Sequence, residues 1–324
     1  MQRSLKILVV RFSSIGDIVL TTPVLRCLKL QLGAEVHFIT KSQYKDILTN
    51  NIYIDKVHTV ENSVRDIIGK LKEEQYNYIV DLHNNLRSYS LKRLRVPTYK
   101  ICKSNFKKFL FINFGINLLS GTHIVDRYME VVKPLSVKND LKGLDYFIDS
   151  ETHVDFNIEQ QFIVWSIGAS YQQKKLSKEI ISSVISTIDI PVAFLGGIDD
   201  RGLADFIIKD HSEKNIYNFC GSFSLDQSSY LIKHARLVLS NDTGLMHIAA
   251  AFDKPIISFW GCTKPDLGFS PYMTNKRTVQ ITSNLSKRPC SKHGNICRYK
   301  FDGCVNEIDS SEIIESVVSF LSDK

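Results

Sequence analysis

Apolar runs too short to be buried helices recur along this chain, each followed by a stretch of helical periodicity, and this alternation restricts the fold more than any other feature. Leu5–Val10 is such a run, bounded by polar residues as a strand covered on both faces requires. After a loop from Arg11 to Gly16 comes a helix with Thr22 as the expected N-cap, Pro23 at the first helical position and Gly33 just past the end. Helical character can begin as early as Asp17. Strands at Glu35–Thr40, Lys56–Val60 and Tyr78–Asp81 alternate with helices near Ser42–Thr49 and Val64–Gln75, and basic helical segments continue to Lys133. Residues 138–158 are charged and break the rhythm, so the domain junction is placed there, with domains over 1–150 and 151–324. The second domain repeats the alternation. Strands Phe162–Ile167, Val192–Leu195, Ile216–Phe219, Leu237–Ser240 and Ile256–Phe259 are separated by helices Lys178–Ile188, Asp200–Lys209, one opening at Ser224 with Gln227 as a capping box, and Leu245–Phe252. A last helix, Ser310–Leu321, starts with Asp309 as cap and Glu312 at its third position, and packs on its own domain or back on the first. The expected class is α/β, with two doubly wound parallel sheets.

Composition removes the other classes. In 324 residues, 44% are hydrophobic and 23% charged, with 16 Gly and 8 Pro, which excludes disordered and collagen-like chains. Arg11 interrupts the N-terminal apolar run and no small-residue cleavage site follows, so this segment reads as a strand and not a signal peptide. No stretch approaches a spanning helix, so any membrane contact is expected to be peripheral. Net charge is +7, and Arg87–Lys108 holds eight basic residues with no acidic one, so the remainder nets −1. An anionic partner belongs with that segment. A nucleic acid is not expected, because no reading motif accompanies the charge.

In open parallel sheets ligands bind beyond the carboxyl ends of the strands, and two such domains facing each other would make a cleft. Four loops after strands therefore matter. In the first, Ser13 to Asp17, Gly16 permits a tight turn and Asp17 is either a helix-capping carboxylate or a group presented to a ligand. The second, Gly168 to Lys175, has small residues ahead of Lys174 and Lys175, which suits a phosphate or a solvated lysine pair. In the third, Gly196 to Asp200, an Asp either accepts a ribose hydroxyl or caps a helix. The fourth, Ser240-Asn241-Asp242-Thr243-Gly244 leading into Leu245-Met246-His247 and three alanines, opens a helix at a strand end and forms an anion site of N–H groups. No GxGxxG or Walker pattern is present.

Residues 260–304 read as irregular and hold Cys262, Cys290, His293, Cys297 and Cys304. The C-x6-C-x6-C spacing is wider than the C-x2-4-C of structural zinc sites, so of the two readings, a metal site and buried thiols packed under a loop, the packed thiols are preferred.

The segments FSSIGDIVLTTPVLRCLK, DLHNNLRS, GAS followed by Lys174, SNDTGLMHIAAA and the later FWG together resemble glycosyltransferase family 9, the inverting heptosyltransferases of bacterial lipopolysaccharide. The resemblance implies a GT-B fold, an acceptor on the N-terminal domain and a nucleotide-diphospho-sugar on the C-terminal one. It implies Asp17 as catalytic base, with Ser14, Gly16, Arg87 and Arg127 on the acceptor side. It further implies Ser170, Lys174, Asp200, Asp242, Thr243, Gly244 and His247 around the donor. The donor so implied is ADP-heptose, used as co-substrate without cofactor or metal. The acceptor is an anionic lipid-linked oligosaccharide, met at the cytoplasmic face of the inner membrane by a protein in peripheral contact with anionic lipid. A non-catalytic nucleotide-sugar-binding protein and a nucleotide-sugar epimerase are the rival readings, and the presence of Asp17 favours the transferase.

Overall fold

A computed structural model describes residues 5–119, 121–274, 276–299 and 302–322. They fall into two compact units, Met1–Lys103 with Thr122–Phe147, and Ser104–Gly121 with Ile148–Lys324. The basic, aromatic-rich segment Ser104–Gly121 thus belongs to the second unit, although a boundary after residue 150 assigns it to the first.

In the first unit, β1 (Lys6–Val10), β2 (Glu35–Lys41), β3 (Lys56–Val60), β4 (Tyr78–Asp81) and β5 (Thr98–Lys100) form one parallel sheet in the order β3-β2-β1-β4-β5. Ile7, Leu8, Val9 and Val10 are fully buried, which explains why the central strand is apolar on both faces. The helix Thr22–Leu32 buries Val24, Leu25 and Leu28 and ends at Gly33, whose φ of 57° is the left-handed conformation glycine adopts without a Cβ clash. Its N-cap is Thr21, one residue before the expected position. From the buried side of this helix Arg26 makes a two-pronged pair with Asp140 at 2.8 Å on each prong and also bonds Asp145 and the Gly143 carbonyl. Two acidic residues of the charged junction are therefore counterions of a buried arginine and not solvated linker.

The second unit holds β6 (Ile163–Ser166), β7 (Val192–Leu195), β8 (Ile216–Asn218), β9 (Leu237–Asn241), β10 (Ile256–Trp260) and β11 (Thr278–Thr282), all parallel, in the order β11-β10-β9-β6-β7-β8. Trp165, Phe194, Leu239 and Phe259 fill its core. The final helix, Ser310–Ser322, contributes Ile313, Val317 and Phe320 to the same core, so the choice left open for it falls to this unit. The Ser224 capping box is formed, with Ser224 N–H on Gln227 Oε1 at 3.0 Å and Gln227 N–H on Ser224 Oγ at 3.1 Å. Two strands lie where none was expected: β5 inside the basic segment and β11 inside the stretch read as irregular.

Candidate active site

A doubly wound sheet opens a crevice where consecutive strands run off in opposite directions, and in the first unit that point lies between β1 and β4. The loops after those two strands hold a cluster of bonded polar side chains. Arg11 is the hub: its Nε donates to the Ser13 carbonyl at 2.8 Å, its Nη1 to the Leu82 carbonyl at 2.9 Å and to the Tyr128 hydroxyl at 3.0 Å, and its Nη2 reaches Asp17 Oδ2 at 2.7 Å. Ser14 adds its N–H at 3.2 Å and its hydroxyl at 3.1 Å, both to Oδ2 of Asp17. Every one of these bonds falls on Oδ2, and among the described residues Oδ1 of Asp17 receives none. Burial pushes this carboxyl's pKa up, but the Arg11 charge and the Ser14 bonds outweigh it and hold it below the usual carboxylate range. Asp17 is thus both the helix-start carboxylate and a fixed anion with one oxygen to offer.

The turn after β4 is built on Asp81, whose Oδ1 accepts the N–H groups of His83 at 3.0 Å and Asn84 at 2.7 Å. His83 Nδ1 accepts the Phe12 N–H at 3.3 Å, and burial with the Arg11 charge lowers its pKa to about 3. It stands beside Asp17 as a neutral ring. The Arg87 guanidinium lies 5.8 Å above the Phe12 ring, and Arg127, on the helix that supplies Tyr128, donates to the Cys102 carbonyl. Ser14 is exposed, whereas Gly16 is buried within a helix turn and offers no contact surface.

In the second unit the corresponding point lies between β6 and β9. Here the loop after β6 meets the loop after β9 through Lys174, whose Nζ donates to Asp242 Oδ2 at 2.6 Å and to the Asp242 carbonyl at 3.3 Å. Thr263, following β10, donates its hydroxyl to the same Oδ2 at 2.8 Å. Behind them Asn241 is buried and ties its Nδ2 to the carbonyls of Ile167 at 2.9 Å and Gly168 at 3.3 Å, which fixes the two loops against each other. Thr243 stands at the N-cap position of the helix Gly244–Ala251 without a side-chain cap bond, and the first N–H groups of a helix have no partner within it. Ser170 is exposed on the first of these loops.

Two residues expected at the donor are turned inward. Asp200 is buried, its Oδ1 held by Lys175 Nζ at 2.6 Å and its Oδ2 by the Gly197 N–H at 2.8 Å. A Cβ at Gly168 would stand 2.4 Å from that Oδ2, so the carboxylate fills the space two glycine loops leave and braces them. His247 is only 4% exposed and supports its helix from inside the fold. The bonding roles of Arg11 and Thr263 were not visible in the sequence, and Asn241 was placed in the fourth loop without its role as a brace. The thiols expected to pack under the loop of residues 260–304 do so against one another, with the Sγ atoms of Cys262, Cys290, Cys297 and Cys304 converging within 4.8 Å.

Residues 64–300 match the family described as glycosyltransferase family 9 (heptosyltransferase). The chain belongs to glycosyltransferase family 9. This glycosyltransferase is 24% identical, over 99% of its length and 100% of the relative's, to lipopolysaccharide heptosyltransferase 1 of Campylobacter coli. It shares its fold with a family 9 glycosyltransferase from Veillonella parvula at a TM-score of 0.79 and 20% identity, covering 100% of this chain and 99% of that one. The E. coli heptosyltransferase WaaC, solved with ADP, superposes at a TM-score of 0.69 and 17% identity, covering 98% and 100%. The glycosyltransferase therefore has the GT-B fold, and neither rival reading is favoured.

Proposed function

We propose that this glycosyltransferase takes heptose from ADP-heptose and passes it, with inversion, to a hydroxyl of a lipopolysaccharide core. The names of its relatives support the sugar and the acceptor, and the ADP in the E. coli structure supports the nucleotide. The observation that carries the mechanism is the division of labour on Asp17, with Oδ2 immobilised by Arg11 and Ser14 and Oδ1 open. The acceptor hydroxyl attacks the anomeric carbon, the bond from that carbon to the diphosphate oxygen breaks, and the hydroxyl proton passes to Oδ1. The departing diphosphate gathers charge, which Lys174 and the N–H groups around Thr243 and Gly244 stabilise at the switch point of the second unit. Ser170 and Asp242 complete the donor side; Ser14, Arg87 and Arg127 face the acceptor's anionic groups.

This reading requires no divalent cation at the diphosphate, since the cationic partner there is Lys174. Turnover of ADP-heptose with a lipid A–core acceptor is expected to persist in EDTA and to yield the inverted anomer by NMR. Loss of transfer in EDTA, restored by Mg²⁺ or Mn²⁺, would overturn the metal-free diphosphate site.

Contact with an anionic leaflet is part of the same reading. No helix among the described residues is long and apolar enough to cross a membrane. The helix Asn105–Phe114 leaves Phe106 at 72%, Phe109 at 53% and Phe114 at 65% exposed, alongside the exposed Lys107. Lys108 is buried over the Phe269 ring at 5.0 Å and is no part of this face. Rings at the headgroup level beside a lysine suit interfacial binding. Co-sedimentation with phosphatidylglycerol vesicles is expected for the wild type and lost on Phe106→Ser, Phe109→Ser, Lys107→Glu; equal binding by both discards the membrane contact.

A further inference from the structure

We infer that Cys262, Cys290, Cys297 and Cys304 form a tetrahedral thiolate site for a single cation, zinc or iron, that clamps the segment between β11 and the last helix onto the end of β10. The four Sγ atoms all lie within 4.8 Å of one another, with Cys290 to Cys304 at 3.8 Å and Cys304 to Cys262 at 3.4 Å. A metal–sulfur bond of about 2.3 Å in a regular tetrahedron places sulfurs roughly 3.8 Å apart, so the observed spacings bracket a closed four-sulfur shell. Four sulfur ligands select zinc or iron over magnesium or calcium. Cys262, Cys290 and Cys304 are buried and Cys297 half-buried, so the centre is shielded, as structural sites are.

The surroundings are those of an anionic sulfur cluster. The Tyr299 N–H points at Cys297 Sγ at 3.4 Å, and the Cys290 N–H binds the Cys262 carbonyl at 2.8 Å, which fixes the first two sulfurs in register. Arg288 is 4% exposed, and its guanidinium is bonded to the carbonyls of Trp260, Gly261, Ser283 and Thr263. A permanent cation buried among carbonyls needs a nearby anion, and four thiolates around a divalent ion carry a net charge of −2. The trio His37, His58 and Glu74 also converges, but Lys6 and Lys56 already hold the Glu74 carboxylate at 3.0 Å and 2.5 Å, so a cation there would meet two others.

The clamp bears on Lys174. A Cβ at Gly294, between the second and third cysteines, would stand 2.5 Å from Lys174 Cε, and one at Gly303 would stand 2.4 Å from the Gln173 carbonyl. The cysteine segment therefore lies against the stem of that lysine and the turn that presents it. Metal loss is expected to loosen Lys174 without touching Asp17. This consequence rests on the proposed donor role of Lys174, whereas metal content does not, so the two can fail separately.

The test is elemental analysis of the full chain, free of affinity tag, purified without added metal and passed through gel filtration in EDTA. One zinc or one iron per chain is expected, the element deciding between them. Titration of four thiols with a mercurial should release it, and cobalt substitution should give thiolate-to-cobalt charge-transfer absorption with intense tetrahedral visible bands. Cys297→Ser, the half-buried position, is expected to lose the metal and raise the donor KM, while Cys102→Ser, outside the cluster, keeps both. A metal-free protein with no cobalt spectrum, whether its four thiols are free or Cys262 and Cys304 are joined in a disulfide, overturns the site. Retention of full metal by Cys297→Ser would remove that residue from the ligand set.

Discussion

Asp17→Asn is expected to lower kcat for sugar transfer by a factor on the order of 10² to 10⁴, the range a positioned general base supplies, and to leave donor affinity by calorimetry unchanged. Asparagine keeps the shape and an oxygen for Arg11 Nη2 and Ser14, so the turn survives; what it loses is the second oxygen's capacity to take a proton. The size of the loss follows from how Arg11 tunes the carboxylate. Burial alone would raise its pKa toward that of an efficient base, yet the guanidinium at 2.7 Å wins and keeps it low. A base this weak cannot strip an ordinary alcohol in advance. In the proposed mechanism it accepts the proton late, once bond formation to the anomeric carbon has made the hydroxyl acidic. The sign of the pH dependence is then fixed: Asp17 is ionised at neutral pH, activity falls only as pH drops through its lowered pKa, and the acid limb of kcat/KM lies below the ordinary carboxylate range. Undiminished turnover by Asp17→Asn would remove this residue from the mechanism.

The architecture was legible where burial is two-sided. β4 and β7 match their expected limits, Tyr78–Asp81 and Val192–Leu195, because central parallel strands must be apolar on both faces and end where the chain meets water. The edge strand β11, Thr278–Thr282, gave no such signal: only Ile281 is buried, and its partner β10 supplies the pairing. Arg11 looked like an interruption of an apolar run, since its role is defined by Leu82 and Tyr128, which lie 71 and 117 residues away. Asp200 and His247 carry the right residue types in the right loops, but local spacing does not say which way a side chain turns. The mutual approach of the four cysteines was not legible for a related reason: Cys262 arrives from the end of a sheet strand and the other three from a distant loop.

Lys174→Ala is expected to weaken donor binding and also to lower kcat, by a factor on the order of 10² to 10³, the cost of removing one preorganised partner of developing charge. Both effects are expected because the lysine does two things. In the proposed mechanism it supplies the cation for the leaving diphosphate, and at 2.6 Å it neutralises Asp242, whose carboxylate would otherwise repel the same phosphates. Removal therefore subtracts an attraction and uncovers a repulsion. The hydroxyl of Thr263 remains on Asp242 Oδ2, but a neutral donor does not cancel the charge. Adding Asp242→Asn to Lys174→Ala separates the two contributions: donor affinity should recover in part, because the repulsion is gone, while kcat should not, because no cation has returned. Lys175→Ala is the control. Its ammonium is committed to Asp200 at 2.6 Å, so that variant should lower thermal stability and leave donor affinity near the wild-type value. Unchanged affinity and rate in Lys174→Ala would place the diphosphate elsewhere, and a full rescue of kcat in the double variant would make Lys174 a counterion of Asp242 alone.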